Sequence, residues 1–251
     1  MTQAEARWRL DRYYAEMLGQ EAERFYQPGI CLTTLLIQPP SSSLFRKSIL
    51  ILHMPATTGS ERSCLLVAHP MLIEPLRPFL SSLKVATLLE EATLARLTHL
   101  VHHEFPTAAV PPGGLPVIAR FVTQETFRPF RGPELARVKR LNEHHLGNLA
   151  LFSRYSGGIY ALCDEHGQIL SRAGIRYESR DVWEIGVRTE VEAMRGRGLA
   201  KTVVTAATEA ILAAGRVPLY VHSATNLASE KVALALGYQP YAAECIWSLS
   251  E

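Results

Sequence analysis

The chain has 251 residues, which is enough for one large domain or two small ones. Of these residues 47% are apolar, as is usual for a soluble globular protein with a hydrophobic core. A formal charge of +2 is too small to indicate a nucleic-acid or membrane partner, and the apolar runs are too short for a membrane-spanning helix. Residues 1–7 are polar, without the apolar stretch of a secretory signal, and the four cysteines form no C-x-x-C pair. We therefore expect a cytoplasmic protein with reduced thiols and no metal.

The N-terminal part mixes helix and strand patterns and ends at a run of prolines and glycines. Its predicted elements are a helix over 5–26, strands over 30–37, 48–53 and 64–68, a turn or short helix over 73–80, and a helix over 82–101. Pro106 and Pro111-Pro112-Gly113-Gly114 then interrupt the chain, and such a run cannot continue a helix. We expect two domains, an α/β domain over 1–110 and a second over 115–251.

The C-terminal part follows the element order β-α-β-β-β-α-β-α-β. Its predicted elements are strands over 115–123, 158–163, 168–175, 182–189, 218–223 and 241–249, and helices over 134–145, 201–214 and 228–236. The turn over 164–167, with Gly167 last, predicts a hairpin between the second and third strands. Gly237 stands where a C-terminal helix cap is expected.

The segment Arg195-Gly196-Arg197-Gly198-Leu199-Ala200 lies between a predicted strand and a predicted helix. Such a loop turns backbone N–H groups inward, and the helix N-terminus adds a partial positive charge of about half a unit. Two arginines add formal charge. The loop by itself therefore predicts a site for a phosphorylated ligand.

The element order and two motifs resemble the GNAT superfamily of acyl-CoA-dependent N-acyltransferases. The family's Arg/Gln-x-x-Gly-x-Gly/Ala pattern is met by Arg195, Gly198 and Ala200. Asn226-Leu227-Ala228-Ser229, closed by Leu236-Gly237-Tyr238, resembles the family's second motif. The resemblance covers residues 115–251 and implies a mixed α/β, GNAT-like fold. Some relatives carry a degenerate GNAT-like half before this domain, which the length and α/β character of 1–110 would allow.

The resemblance implies a coenzyme A site built from the loop, the preceding strand and the second motif. In the family the loop amides surround the pyrophosphate of CoA, and the strand before the loop diverges from its neighbour to expose backbone groups to the pantetheine arm. The cofactor-binding positions so implied are Val187, Arg188, Thr189, Arg195, Gly196, Arg197, Gly198, Leu199, Ala200, Lys201, Asn226 and Ser229. Glycine at 196 and 198 would let the phosphates approach closely.

Two residues are candidates for catalysis. Glu184 lies on the strand before the loop, where several family members place a glutamate, and could act as general base, although a plain salt bridge is the alternative. His222, on the strand leading to Asn226, could act instead, because histidine as a residue type suits proton transfer near neutral pH, with simple packing as its alternative. The tyrosine that many members use as general acid is replaced by Ala233, which leaves Tyr238, Tyr220 or water for that role.

The histidines at 99, 102 and 103 with Glu104 could suggest a metal site, but no further ligand pattern accompanies them and a helix C-terminus also favours histidine. His144-His145 is better explained as a helix end.

The prediction is therefore an acetyl-CoA-dependent N-acetyltransferase that moves an acetyl group to a primary amine by direct transfer in a ternary complex. The acceptor would be a small-molecule amine or a peptide N-terminus or lysine, with no nucleic acid or membrane involved. A non-catalytic sensor of CoA or acyl-CoA, or an interaction domain, is the alternative, and Ala233 gives it weight. A nucleotide-binding protein of another fold is disfavoured because no Gly-x-x-x-x-Gly-Lys-Ser/Thr loop is present.

Overall fold

The structure, a computed structural model, describes residues 1–35, 48–56, 63–110, 114–141 and 155–249 of the chain. Its helices are α1 (Gln3–Leu18), α2 (Pro70–Ser81), α3 (Glu91–Glu104), α4 (Leu199–Ala213) and α5 (Leu227–Ala235). Its strands are β1 (Gly29–Thr34), β2 (Ser48–Pro55), β3 (Ser63–Ala68), β4 (Ala108–Ala109), β5 (Val117–Phe121), β6 (Lys139–Leu141), β7 (Gly158–Cys163), β8 (Ile169–Tyr177), β9 (Val182–Thr189), β10 (Val217–Ser223) and β11 (Gln239–Leu249). Short 3-10 helices lie at Ala22–Tyr26, Val85–Thr87, Pro133–Arg137 and Glu192–Met194.

The chain divides into two compact units. Unit 1 comprises Met1–Leu10, Arg120–Val221 and Leu227–Gln239, and unit 2 comprises Asp11–Ala119, His222–Asn226 and Pro240–Glu251. Helices and strands occur in both, which confirms the predicted mixed α/β class. The division into contiguous domains over 1–110 and 115–251 stays a prediction. Within the described ranges, no helix is both long enough and apolar enough to cross a bilayer.

Unit 1 contains a run of strands in the order β10-β9-β8-β7-β6. β10 lies parallel to β9, and each later neighbour is antiparallel. β7 and β8 are joined by a tight turn. In that turn Asp164 Oδ1 accepts hydrogen bonds from the backbone N–H groups of His166 and Gln168, and Gly167 has a φ of +82°. The predicted hairpin with glycine last is therefore confirmed.

The core of unit 1 lies between this sheet and α4. Apolar residues of α4 at helical spacing, Val203, Ala207 and Ile211, pack on alternate residues of the strands, such as Ala173 and Ile185. Because strand side chains alternate between faces, the residues between these apolar positions project to the opposite face of the sheet. That opposite face carries the charged residues described below.

Two helices of unit 1 end at a glycine in the left-handed conformation. After α4, Gly215 has a φ of +69° and the Arg216 N–H donates to the Ile211 carbonyl. After α5, Gly237 has a φ of +82° and the Tyr238 N–H donates to the Ala233 carbonyl. Both ends have the six-to-one bond of a Schellman motif. The predicted cap at Gly237 is therefore confirmed.

Unit 2 contains strands in the order β1-β3-β2-β11, with β4 also paired to β11. β1 lies parallel to β3, whereas β2 is antiparallel to both its neighbours. One face packs on α2 and α3, where Trp247 donates its indole N–H to Thr98 Oγ1 at 3.0 Å. Elsewhere in this unit the completely buried His53 and Glu244 lie opposite each other on β2 and β11, with Nδ1 2.9 Å from Oε1.

The predicted helix over 134–145 is wrong in its described part. Residues Pro133–Arg137 form a 3-10 turn, and the next three residues form β6, which pairs with β7. Leu141 is buried by this pairing while Lys139 and Arg140 remain exposed, so strand pairing outweighs a sequence of good helix formers.

Other element boundaries differ from prediction for local reasons. The helix predicted over 5–26 stops at Leu18 because Gly19 takes a φ of +62°. The helix predicted over 82–101 starts only at Glu91, after a 3-10 turn. The segment over 73–80 is a full helix, α2, which begins with Pro70 at its first turn and buries Leu72, Leu76 and Leu80 at four-residue spacing. The prolines and glycine at 111–113 and His144-His145 lie outside the described residues.

Candidate functional site

The segment 195–200 is a loop that opens α4. Gly196 and Gly198 have φ values of +78° and +82°, so both positions use a conformation that favours glycine. Gly198 is the N-cap residue, and its carbonyl accepts from the Thr202 N–H at 3.1 Å. Because glycine has no side chain to cap the helix, the N–H groups of the first turn are left for water or a ligand. The loop has the backbone geometry that an anion site requires.

Positive charge surrounds this helix end. Arg195 and Arg197 are exposed, and Arg195 is paired with Glu192 at 3.1 Å across one turn. Lys201 Nζ lies 4.6 Å from the centre of the Phe130 ring, and that ring also lies against Gly198. Phe130 is in turn fixed by its backbone N–H, which donates to Thr205 Oγ1 of α4 at 3.1 Å. Phe130 could not be linked to the loop from the sequence, because it lies far from the motif along the chain.

The two central parallel strands of unit 1 are paired over only part of their length. The pairing of β9 with β10 runs from Val182↔Val217 to Glu184↔Leu219. Within these two fully described strands, no pairing joins the remaining residues of β9 to those of β10. β9 nevertheless continues to Thr189, held by its other neighbour, β8. The backbone of β9 beyond Glu184 therefore has one edge available on the β10 side.

The three candidate residues on β9 lie in this unpaired part. Val187 is partly buried against the core under α4, and Arg188 is exposed, with its Nε 3.0 Å from Glu190 Oε2. The Thr189 hydroxyl is 3.2 Å from that of Ser171 on β8. Their side chains thus contact the core, Glu190 or Ser171. A ligand at this edge of β9 would therefore contact their backbone N–H and C=O groups.

Glu184, the last residue of β9 paired with β10, is largely buried on the face of the sheet opposite α4. Its Oε1 lies 2.5 Å from Nη2 of Arg176, which stands directly opposite it on β8. Arg176 Nε is also 3.3 Å from Glu178 Oε1. Burial acts to lower the pKa of Arg176, but the Glu184 and Glu178 carboxylates outweigh it, so this pKa lies above its usual value. Arg176 was not among the residues predicted from the sequence.

Two glycines on the same face form a bare patch of backbone beside Glu184. Gly174 on β8 and Gly186 on β9 lie opposite each other, and the Tyr155 ring covers them. A Cβ on Gly174 would overlap that ring, and a Cβ on Gly186 would lie 3.0 Å from the Tyr155 hydroxyl oxygen. Arg172, two residues before Gly174 on β8, has its guanidinium carbon over the Tyr155 ring, 5.9 Å from the ring centre. This patch could not be predicted from the sequence, because strand register, not spacing along the chain, brings the two glycines together.

His222 and the second motif lie at the end of β10 and the start of α5. His222 is almost fully buried, and its Nδ1 is 2.9 Å from the Ser223 carbonyl oxygen. Asn226 is exposed and immediately precedes α5. The Ser229 hydroxyl is 2.8 Å from that of Tyr220.

The tyrosines considered as general acids are both engaged in the core of unit 1. Tyr238 is 1% exposed, with its hydroxyl 2.8 Å from Thr208 Oγ1, and burial raises its pKa far above the usual value. Burial also raises the pKa of Tyr220 to about 12, against an opposing effect of the hydrogen bond with Ser229. Ala233 is completely buried. Both tyrosines are therefore poor proton donors near neutral pH.

A cavity of about 540 Å³ lies in unit 2, beside α2 and α3. Its lining is mostly apolar and includes Phe79, Arg96, His99 and His103. His103 Nδ1 is 3.0 Å from Glu104 Oε1. In the part of the chain that the structure describes, no cluster of three or more His, Cys, Asp or Glu residues could hold a metal ion.

The part of the chain that carries the loop and β9 matches a known protein family. Residues 127–243 match the family model described as GNAT acetyltransferase. This part of the chain is similar to the GNAT acetyltransferase family. No curated protein matches the chain.

Several solved structures resemble the chain. A protein of Novosphingobium aromaticivorans assigned to the GNAT family is 22% identical, with 58% of this chain and 69% of that chain covered and a TM-score of 0.45. A GCN5-related N-acetyltransferase-like protein of Streptococcus suis is 18% identical, with 98% and 100% covered and a TM-score of 0.42. A tandem GNAT protein from the clavulanic acid biosynthesis pathway is 14% identical, with 98% and 95% covered and a TM-score of 0.43.

Proposed function

We propose that the chain transfers an acetyl group from acetyl-CoA to a primary amine, directly, in a ternary complex. The observation that carries this proposal is the succession of a half-paired strand and a glycine loop. β9 loses its β10 partner after Glu184, and the chain then reaches the helix-opening loop with Gly196 and Gly198. The free strand edge suits an amide-containing arm, and the loop suits the pyrophosphate to which that arm is joined in CoA.

The donor would bind through backbone groups along one continuous stretch of chain. Val187, Arg188 and Thr189 would offer the unpaired edge of β9 to the pantetheine amides. The segment from Arg195 to Lys201 would surround the phosphates with N–H groups and positive charge. Asn226 and Ser229 of the second motif are the remaining candidates.

Glu184 is the better of the two candidate bases. A base must take a proton from the ammonium form of the acceptor before the nitrogen can attack the thioester. Glu184 lies at the point where β9 and β10 cease to pair, and Arg176 favours its carboxylate form. His222 is the second candidate.

Direct transfer is favoured over an acyl-enzyme. Cys64 and Cys245 are buried in the core of unit 2, and burial raises the pKa of both thiols, which disfavours the thiolate needed for attack. Burial likewise raises the pKa of Cys163, which lies at the far end of β7.

The acceptor would be a small-molecule amine or a peptide N-terminus or lysine. A second candidate function, a CoA or acyl-CoA sensor without turnover, is favoured by one observation: Ala233 is completely buried at the position where many relatives have a catalytic tyrosine.

Calorimetry and a thiol-release assay test the two functions. We expect acetyl-CoA and CoA to bind and ATP not to compete, and we expect a panel of polyamines, amino acids, aminoglycosides and peptides to contain at least one amine that releases thiol from acetyl-CoA. Tight ATP binding without CoA binding would contradict the donor site. Binding of acetyl-CoA without thiol release across the panel would favour the sensor.

A further inference from the structure

We propose that Tyr155 supplies the proton that the departing thiolate takes up, as a catalytic residue of the reaction proposed above, on which this inference rests. No group has so far been assigned to this step, because Tyr220 and Tyr238 are buried and bonded to Ser229 and Thr208.

The position of Tyr155 is set by the bare backbone beneath it. Its ring lies on the Gly174 and Gly186 pair, and any side chain at Gly174 would displace it. The hydroxyl end of the ring lies over Gly186, since that oxygen is the atom a Cβ there would meet first, at 3.0 Å. The two glycines therefore hold a half-buried phenol flat against the sheet with its oxygen directed to β9.

Gly186 is also where the strand edge becomes available. Glu184 is the last residue of β9 paired with β10, and Gly186 follows two residues later on the same face, with its Cα about 7 Å from that of Glu184. The phenol oxygen thus lies over Gly186, on the same strand and the same face of the sheet as the carboxylate proposed as base, and at the opening of the strand edge proposed for the donor. A base and an acid carried on one face of the sheet suit a reaction in which one proton leaves a nucleophile and another reaches a leaving group.

Arg176 links the two groups electrostatically. Tyr155 is among the groups that raise the pKa of Arg176, together with Glu184 and Glu178. A guanidinium held in this way remains charged, and positive charge nearby stabilises a phenolate formed during proton transfer.

The proton balance of the step is complete. The ammonium group loses one proton to Glu184, and the neutral nitrogen attacks the carbonyl carbon of the thioester, so that a C–N bond forms. The C–S bond then breaks and the sulfur leaves with its electron pair, taking the proton of the Tyr155 hydroxyl to become a thiol. The second proton lost by the nitrogen returns through water to the phenolate, and the proton on Glu184 passes to solvent.

Removing only the hydroxyl tests this role. In Tyr155→Phe the ring still covers the glycines, so we expect an unchanged Kd for acetyl-CoA, a roughly 100-fold lower kcat and loss of the alkaline limb of the kcat–pH profile. The matched control is Tyr177→Phe, because Tyr177 is an exposed tyrosine on β8 whose ring packs against Trp183, with the ring centres 4.3 Å apart. We expect this control to retain wild-type kcat and both limbs.

A structure of the wild-type protein with acetyl-CoA bound provides a test that needs no acceptor. We expect the Tyr155 hydroxyl oxygen within one hydrogen bond, or one bridging water, of the thioester sulfur. A sulfur out of that reach, or a Tyr155→Phe variant with the kcat and pH profile of an active wild type, would overturn this inference alone. Failure of the wild-type protein to bind acetyl-CoA would overturn the proposed function and this inference together.

Discussion

Glu184 and Arg176 stand opposite each other on β9 and β8 and form an ion pair, with Oε1 2.5 Å from Nη2. Because the carboxylates raise the pKa of Arg176 above its usual value despite burial, the guanidinium remains charged over the whole working range of pH. The pair therefore keeps Glu184 as a carboxylate, the form in which it can accept a proton, although the same pairing weakens it as a base.

Replacing Glu184 by Gln removes the base and should lower kcat about 100-fold. As pH falls, the wild-type carboxylate takes up a proton and the rate declines, so the wild-type profile should have an acid limb that Glu184→Gln lacks. The measurement is kcat across pH with the best amine of the panel. Glu178→Gln is the matched control, since it removes a carboxylate from the same arginine without altering position 184. An acid limb that persists in Glu184→Gln would assign the base elsewhere, with His222 next in order.

Gly196→Ala should raise the Kd for acetyl-CoA as well as lower the free energy of unfolding. The space beside Gly196 is open, but its φ of +78° makes a Cβ unfavourable by about 1–2 kcal/mol. Gly215 at the other end of α4 has the same openness and a φ of +69°, so Gly215→Ala is a matched control for strain alone. We expect similar losses of unfolding free energy in both variants and a raised Kd for acetyl-CoA only in Gly196→Ala. Equal Kd values in the two variants would remove this loop from the donor site.

The order of elements and the donor loop could be predicted from the sequence because their signals are local. Strand periodicity over 182–189 and the glycines at 196 and 198 each lie within a few residues of what they determine. The groups around Glu184 could not be predicted in this way. Arg176 reaches Glu184, and Tyr155 reaches Gly186, only through the register between β8 and β9.

The helix predicted over 134–145 is wrong in its described part because strand pairing, which is not local, decides the structure there. Lys139 and Arg140 favour a helix intrinsically, and nothing near them in sequence indicates a strand. What decides is the β7 edge, which offers backbone hydrogen bonds and a place for Leu141 to be buried. The pairing of β6 with β7 depends on the three-dimensional sheet and cannot be inferred from the residues near Lys139.

Substitutions of His53 and Glu244, the buried pair of unit 2, should have strongly non-additive effects on the free energy of unfolding. His53 and Glu244 are 0% exposed and bonded through Nδ1 and Oε1, while in the described residues His53 Nε2 and Glu244 Oε2 have no hydrogen-bond partner. Glu244→Leu or His53→Leu alone leaves the other polar group buried without its partner, and we expect a loss of about 3 kcal/mol in unfolding free energy for each. The double variant replaces both by apolar groups and should lose much less than the sum. Urea unfolding of the four proteins gives the coupling energy, and additive losses would contradict an energetically important pair.

Among the described glycines of unit 1, Gly237 should tolerate substitution poorly, because two independent constraints act on it. Its φ is +82°, and a Cβ would overlap the backbone carbonyl oxygen of Thr126. The Arg128 N–H donates to the Leu236 carbonyl at 3.0 Å, which holds that segment against the end of α5, so the carbonyl cannot easily move. Asparagine separates the two constraints, since it tolerates the left-handed conformation but still carries a Cβ. We expect Gly237→Asn to lose more than about 2 kcal/mol of unfolding free energy and Gly215→Asn less than about 1 kcal/mol. Similar losses at the two positions would mean that the segment carrying Thr126 is free to move away from the helix end.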